Sequence, residues 1–186
     1  KKWDNLNIGL EMDSHYFTAF CYETIKKGLP NAKFKDAERL VNWVRIVKSS
    51  EEIKLMQSAA RIVESGMKTA FKSINPGVRQ CDAVADIQKA LFNGTKEFGG
   101  DYPSIATLLP TGKGTSASHL THTDEKFISG EATIIEIAGA YKRYHCPMAR
   151  TVLLGEKDQK KIDTMKATNE ALDVGISATK PGNTID

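Results

Sequence analysis

Residues Glu136 to Gly155 read EIAGAYKRYHCPMARTVLLG. Just before them an acidic residue is set among isoleucines, IIEIAG over Ile134–Gly139, and after a short turn a second strand-like run ends in Arg150 and Thr151. Two such runs separated by a tight turn predict a β-hairpin, with strands over 131–138 and 144–154. The two-residue period puts Ile134, Glu136 and Ala138 on one face and Ile135 and Ile137 on the other. A carboxylate in an apolar strand is costly to bury alone. It needs a metal, a cation, a hydrogen-bonded substrate or, on an exposed face, water. Glu136 is therefore a candidate catalytic residue. The second strand carries no Asp that could share a metal with it.

Working outward from the hairpin, HLTHTD (His119–Asp124) follows a Gly/Ser/Thr loop, GKGTSAS. Imidazole titrates near neutrality and is the usual proton-transfer group, so His119 is a second catalytic candidate. A loop or capping histidine is the plainer reading, and for His122 and Asp124 a solvated turn is the stronger one. On the second strand, His145 either faces the site or packs. Cys146, beside Pro147, reads as a small apolar core residue rather than a nucleophile. Arg150 suits a bidentate hold on a carboxylate, of substrate or of protein. Tyr102 follows the Gly99-Gly100 hinge and either lends a hydroxyl to a substrate or packs.

The flanking periodicities predict an α+β chain. A strand is expected over 7–12, a helix over 14–27 with Ser14 as N-cap, a strand or loop over 33–36 and a helix or connector over 37–44. A long helix over 51–74, capped by Ser50, carries Glu51 and Glu52 in its first turn, where the helix dipole favours acids. Its expected buried face is Ile53, Met56, Ala60, Val63, Met67, Ala70, Phe71 and Ile74. A second amphipathic helix spans 81–92, a strand-like run 101–111, and a last helix 158–179. The boundary between VKSS and EEIKLM divides residues 1–47 from 48–186. AFKSINPG (Ala70–Gly77) and GISATKPG (Gly175–Gly182) close two helices in the same way, as in a repeated α+β domain met at the start of its second half.

The 186 residues are 40% hydrophobic and 26% charged, a globular balance, and the net charge of +3 is spread among acids. No basic stripe with interleaved aromatics points to nucleic acid. No apolar run reaches the roughly 18 residues that span a bilayer. Cys21, Cys81 and Cys146 are widely spaced and form no CxxC, which predicts neither a zinc knuckle nor a disulfide framework and fits a reduced, cytoplasmic setting. KKWDNLNIGL at one end and PGNTID at the other read as cut ends.

Taken together, these segments resemble the creatinase/aminopeptidase P family (peptidase M24, the pita-bread fold). EEIKLMQSAARIVESGM (Glu51–Met67) is similar to its opening helix. GDYPSIATLLPTG (Gly100–Gly112), SHLTHTD (Ser118–Asp124) and the hairpin resemble its first-half active-site strands. KATNEALDVGISATKPGNTID (Lys166–Asp186) resembles the start of its second half. VNWVRIVKSSEEIKLM with the DYP and SHLT segments is most similar to the ectoine hydrolase branch. The resemblance implies that 1–47 is the C-terminal part of a creatinase-type N-terminal domain. It implies that 48–186 is the N-terminal half of the catalytic domain, within a homodimer.

Metal-dependent members carry two aspartates on this hairpin, one in D-x-G and one ahead of R-T. Here the first position is Glu136 and the second Pro147, whose side chain cannot ligate. His119 falls at the family's active-site histidine. The resemblance then implies a metal-free hydrolase without cofactor, resembling ectoine hydrolase and opening a cyclic amidine, with His119 and Glu136 catalytic and Tyr102, His145 and Arg150 binding a small-molecule substrate. Two other readings stay open. One is a proline-specific exopeptidase with two divalent metals, Mn or Zn; the other is a non-catalytic binding module of the same fold.

Overall fold

The computed structural model of the chain describes residues 2–155 and 157–184. The elements are β1 (Asn7–Leu10), α1 (Ala19–Gly28), β2 (Lys33–Asp36), α2 (Leu40–Ile46), α3 (Ser50–Ser73), α4 (Gln80–Asn93), a 3-10 turn (Gly112–Ser116), β3 (Ala132–Tyr141), β4 (Tyr144–Leu153) and α5 (Gln159–Ala178). The chain divides into two compact units between Glu51 and Glu52, in the first turn of α3. The sequence places its boundary slightly earlier, between 47 and 48. Glu52 already works with the second unit, since its carboxylate accepts the Tyr144 hydroxyl at 2.8 Å.

In the first unit β1 and β2 pair in parallel, from Asn7 opposite Lys33 to Leu10 opposite Asp36, with α1 between them in the chain. α1 starts at Ala19 rather than beside Ser14. The backbone N–H groups of Ser14 and Phe17 close two successive turns, onto Glu11 and Ser14 at 3.1 and 3.0 Å. The cap is Thr18, whose hydroxyl accepts from the Cys21 N–H at 3.3 Å.

In the second unit α3 and α4 pack on one face of the β3–β4 hairpin. Ile62, Val63, Met67 and Ala70 of α3 meet Ala83, Val84, Ile87 and Leu91 of α4, with Ile135 and Ile137 of β3 beneath. The buried stripe of α3 is Ala59, Ile62, Val63, Gly66, Met67 and Ala70, a strict three-and-four spacing. Ile53 and Phe71, expected inside, are exposed. Small residues decide this choice of face. A Cβ on Gly66 would sit 2.6 Å from Leu91 Cδ2, and one on Gly139 of β3 would sit 2.2 Å from the Ala59 carbonyl oxygen. Helix and strand touch through backbone there, so the face bearing Ala59 and Gly66 must turn inward.

The hairpin register runs from Ala132 opposite Leu153 to Tyr141 opposite Tyr144. The turn residues Lys142 and Arg143 both have positive φ, 46° and 70°, the geometry that a two-residue hairpin turn demands. The run 101–111 forms no regular strand, yet it follows the other edge of β3. Asp101 N–H bonds Ala140, Leu108 and Glu136 exchange both backbone bonds at 3.0 Å, and Ile134 N–H bonds Pro110. α5 opens on Asp158, whose carboxylate accepts the Lys160 N–H at 2.9 Å. Along α5 most residues are exposed, among them Leu172, Val174 and Ile176.

Candidate functional site

The bonds of β3 fix where each side chain of the hairpin goes. The even-numbered residues Ile134 and Glu136 point their backbone groups at the 108–110 edge, so the odd-numbered residues of β3 bond β4. Pro147 lies opposite Ala138 and therefore turns its nitrogen to the outer edge of β4, where no N–H is needed. This is how a proline sits inside a ten-residue strand.

Paired residues of an antiparallel ladder share a face. Ile134, Glu136, Ala138 and Ala140 thus share theirs with Thr151, Ala149, Pro147 and His145. Ile135, 0% exposed, and Ile137 face the helices, as the alternation predicts. Cys146 packs against the core on that inner side, also as expected.

On the outer face His119 Nδ1 lies 3.2 Å from Glu136 Oε2. The His119 side chain is 67% exposed and that of Glu136 28%. Glu136 is therefore neither fully buried nor free in water: it is half-sheltered and has a cationic partner whenever the imidazole is protonated. Both of its backbone groups are taken by Leu108, and its neighbours Ile135 and Ile137 carry the ladder to β4. His119 has φ of 60°, in the left-handed region that few non-glycine residues occupy and where backbone strain gathers at working sites. The adjoining Leu120 carbonyl accepts the Leu109 N–H at 3.1 Å, which ties the histidine loop to the strand edge. No short spacing in the sequence links 119 to 136; tertiary structure makes the pair.

The other predicted site residues spread out. His145 is on the Glu136 face, but both ring nitrogens are engaged. Nε2 lies 3.0 Å from the Ser104 N–H donor, and Nδ1 lies 3.0 Å from the Arg143 carbonyl. Tyr102 is exposed and carries the Arg143 guanidinium 4.3 Å above its ring. Arg150 lies opposite Ile135, on the other face from Glu136, and its Nη1 donates to the Ala149 carbonyl at 2.7 Å. Sequence reasoning missed Ser104 altogether, because nothing local to YPSIA marks a contact with residue 145.

Past Glu136, toward the open end of the hairpin, the outer face borders a groove of about 840 Å³ between Ile134, Ala149, Thr151 and Leu153 on one side and Met165 and Leu172 of α5 on the other. Arg150 also lines it, its guanidinium drawn to the Ala149 carbonyl.

For a metal, this chain offers Glu136 and His119 on one face, with a proline where a second carboxylate would stand. Among the described residues no group of three or more His, Cys, Asp or Glu is arranged to hold an ion. A two-metal centre takes carboxylates that clamp ions a few ångströms apart, and these residues alone do not fit it. Among the described residues no helix is long and apolar enough to cross a membrane.

Comparison with known proteins identifies the family and the fold. Residues 54–186 match the family described as metallopeptidase family M24. The ectoine hydrolase of Halomonas elongata is 42% identical over 97% of this chain and 47% of its own length. An Xaa-Pro dipeptidase of Pyrococcus horikoshii is 24% identical over 87% of this chain and 45% of its own. The solved prolidase of Pyrococcus horikoshii superposes with a TM-score of 0.84 at 23% identity, over 96% of this chain and 49% of that one. That likeness shows the fold, a partial pita-bread architecture. The chain spans about half the length of the curated relatives it matches.

Proposed function

The chain belongs to metallopeptidase family M24, and on that premise we propose that its protein is a hydrolase resembling ectoine hydrolase, which opens a small cyclic amidine by C–N cleavage without a metal. One observation carries the choice within the family: His119 and Glu136 meet at 3.2 Å on a face whose second carboxylate position is Pro147. The 42% identity to an ectoine hydrolase supports the substrate class.

The residues divide the work as follows. Glu136 holds the ring of His119 through Nδ1, and Nε2 is the nitrogen left to move a proton. An amidinium bound over this face finds the Glu136 carboxylate as counter-charge, half-sheltered and so less screened than at the surface. Water adds to the amidinium carbon while His119 takes its proton. The ring C–N bond of the tetrahedral adduct then breaks as the same proton goes to the leaving nitrogen, and the hydroxyl proton leaves as the amide carbonyl forms and ends on the released amine. Arg150, which lines the groove, is placed to attract a substrate carboxylate only from that side. Free thiols at Cys21, Cys81 and Cys146 support a cytoplasmic setting, and a homodimer belongs to the same reading.

A second reading, an Xaa-Pro peptidase with two divalent metals, is favoured by the 24% identity to an Xaa-Pro dipeptidase. Incubating the full-length protein with ectoine, with and without chelator, separates the two. The expected result is ring opening that chelator leaves unchanged and that falls about 10²–10⁴-fold in both His119→Ala and Glu136→Gln, the usual worth of positioned acid–base catalysis. Chelator-sensitive cleavage of Xaa-Pro dipeptides, by protein that purifies with two tightly bound Mn or Zn ions, would replace this proposal with the peptidase reading. Turnover of neither substrate would leave the binding module.

A further inference from the structure

Between its two attachments to β3, the run after Gly100 carries more residues than the strand it follows. Asp101 is bonded to Ala140 and Leu108 to Glu136, so 102–107 must leave the plane of the sheet. Its path is set by Ser104, whose N–H meets His145 Nε2 at 3.0 Å. His145 belongs to β4, on the far side of β3 from the edge where Asp101 and Leu108 sit. The segment therefore crosses β3, on the face that His145 shares with Glu136. The strand suits this, since Ala138 and Ala140 on that face are small and buried, 2% and 1% exposed. Beyond the crossing, the buried Thr107 accepts a hydrogen bond from Gln88 Nε2 of α4 at 2.7 Å. Before it, the Asp101 carboxylate accepts the Arg143 N–H at 3.2 Å and Tyr102 stacks under the Arg143 guanidinium.

We propose that His145 is a positioning residue: it latches the 102–107 strap across the outer face of the hairpin and so fixes the wall that adjoins Glu136 and His119. The chemistry of its partners sets the ring's state. A carbonyl oxygen only accepts, so Nδ1 carries the proton that goes to Arg143. A backbone N–H only donates, so Nε2 must present its lone pair to Ser104. The Ser104 hydroxyl, 3.3 Å from the same nitrogen, donates there as well. With both nitrogens committed, the ring holds the strap and does not touch substrate. The latch holds whatever the identity of the substrate.

The test is nitrogen NMR of histidine side chains, with residue-resolved amide exchange, on the full-length protein. Wild type is expected to show His145 protonated at Nδ1 and bare at Nε2. In His145→Phe, which keeps a ring but loses the acceptor, the Ser104 amide exchanges about tenfold faster, as loss of one hydrogen bond implies. The Ile135 and Ile137 amides stay as they were, and the His119 ring signal shifts. His145→Gln, whose amide oxygen lies as many bonds from Cβ as Nε2 does, returns both Ser104 and His119 toward wild type. A proton on Nε2 in wild type overturns the latch, and so does unchanged Ser104 exchange in His145→Phe. An unmoved His119 signal overturns the link to the site. Should His145→Phe not fold, the wild-type tautomer and the glutamine variant decide.

Discussion

At the scale of single residues, the outer face of the hairpin turns on Pro147. It is tolerated because its nitrogen faces the outer edge of β4, and it leaves Glu136 without a second carboxylate on that face. Residue 147 is the diagonal neighbour of Glu136, about 7–8 Å away between backbones and within reach of two converging carboxylates. Pro147→Asp in the full-length protein is expected to bind Mn or Zn at least about tenfold more tightly than wild type by calorimetry, a gain of roughly 1.4 kcal/mol. Equal affinity would show that something other than the proline separates this site from a metal centre. Gly139 is another residue with no slack. A Cβ there meets the Ala59 carbonyl oxygen at 2.2 Å and the Val63 nitrogen at 2.6 Å. Backbone cannot step aside as a flexible side chain can, so Gly139→Ala should lower stability by about 1–3 kcal/mol or more in urea titrations.

Elements show where local pattern suffices and where it does not. α3, α4, α5 and β4 fall within a residue or two of the ranges that periodicity predicts, because each has a long amphipathic signal or clear stop residues, while β3 runs three residues beyond its expected end, to Tyr141. The face of α3 was legible only in part: Val63, Met67 and Ala70 are buried as expected, but close contact at Gly66 and Gly139 rotates Ile53 and Phe71 outward. α4 begins with an electrostatic device that can be tested by pH. The Arg79 guanidinium makes a two-bonded fork to Asp82 at 2.9 and 2.6 Å, and this bonding holds the Asp82 carboxyl below its ordinary range. Asp82 also sits in the first turn, where the helix dipole favours a negative charge. A lowered folded-state pKa contributes stability above the unfolded value, and that contribution is lost as pH falls through the folded one. The gap in Tm between wild type and Asp82→Asn should therefore be small but present near neutrality, given its exposure. It should close in acid; a gap that widens in acid would contradict the fork.

At the largest scale, within the second unit, the outer face of the hairpin past Glu136 and α5 border an open groove. Leu172, Val174 and Ile176 are exposed on α5, beside a groove whose lining includes Ile134, Leu153 and Met165. Exposed apolar side chains near an apolar groove favour association. The 186-residue chain by itself should form concentration-dependent larger species in light scattering and bind a hydrophobic dye. A monodisperse, dye-silent monomer would show that the groove closes by itself. The full-length protein, by contrast, should show less dye binding per chain.

The sequence by itself determined most of the elements, the hairpin, its two faces and Glu136 and His119 as the residues to test, because hydrophobic period and turn chemistry are local. The inward turn of Cys146 follows from the same alternation. Tertiary structure alone decided which distant residues meet. His119 reaches Glu136 because Leu109 and Leu120 tie its loop to the edge of β3. His145 engages Ser104 and Arg143, and Arg150 is paired opposite Ile135 on the other face of the sheet from Glu136. Those outcomes depend on a strand register, a strap that carries surplus residues, and a helix seated on Gly139. Each of these is a relation between segments far apart in the chain, and no local pattern encodes it.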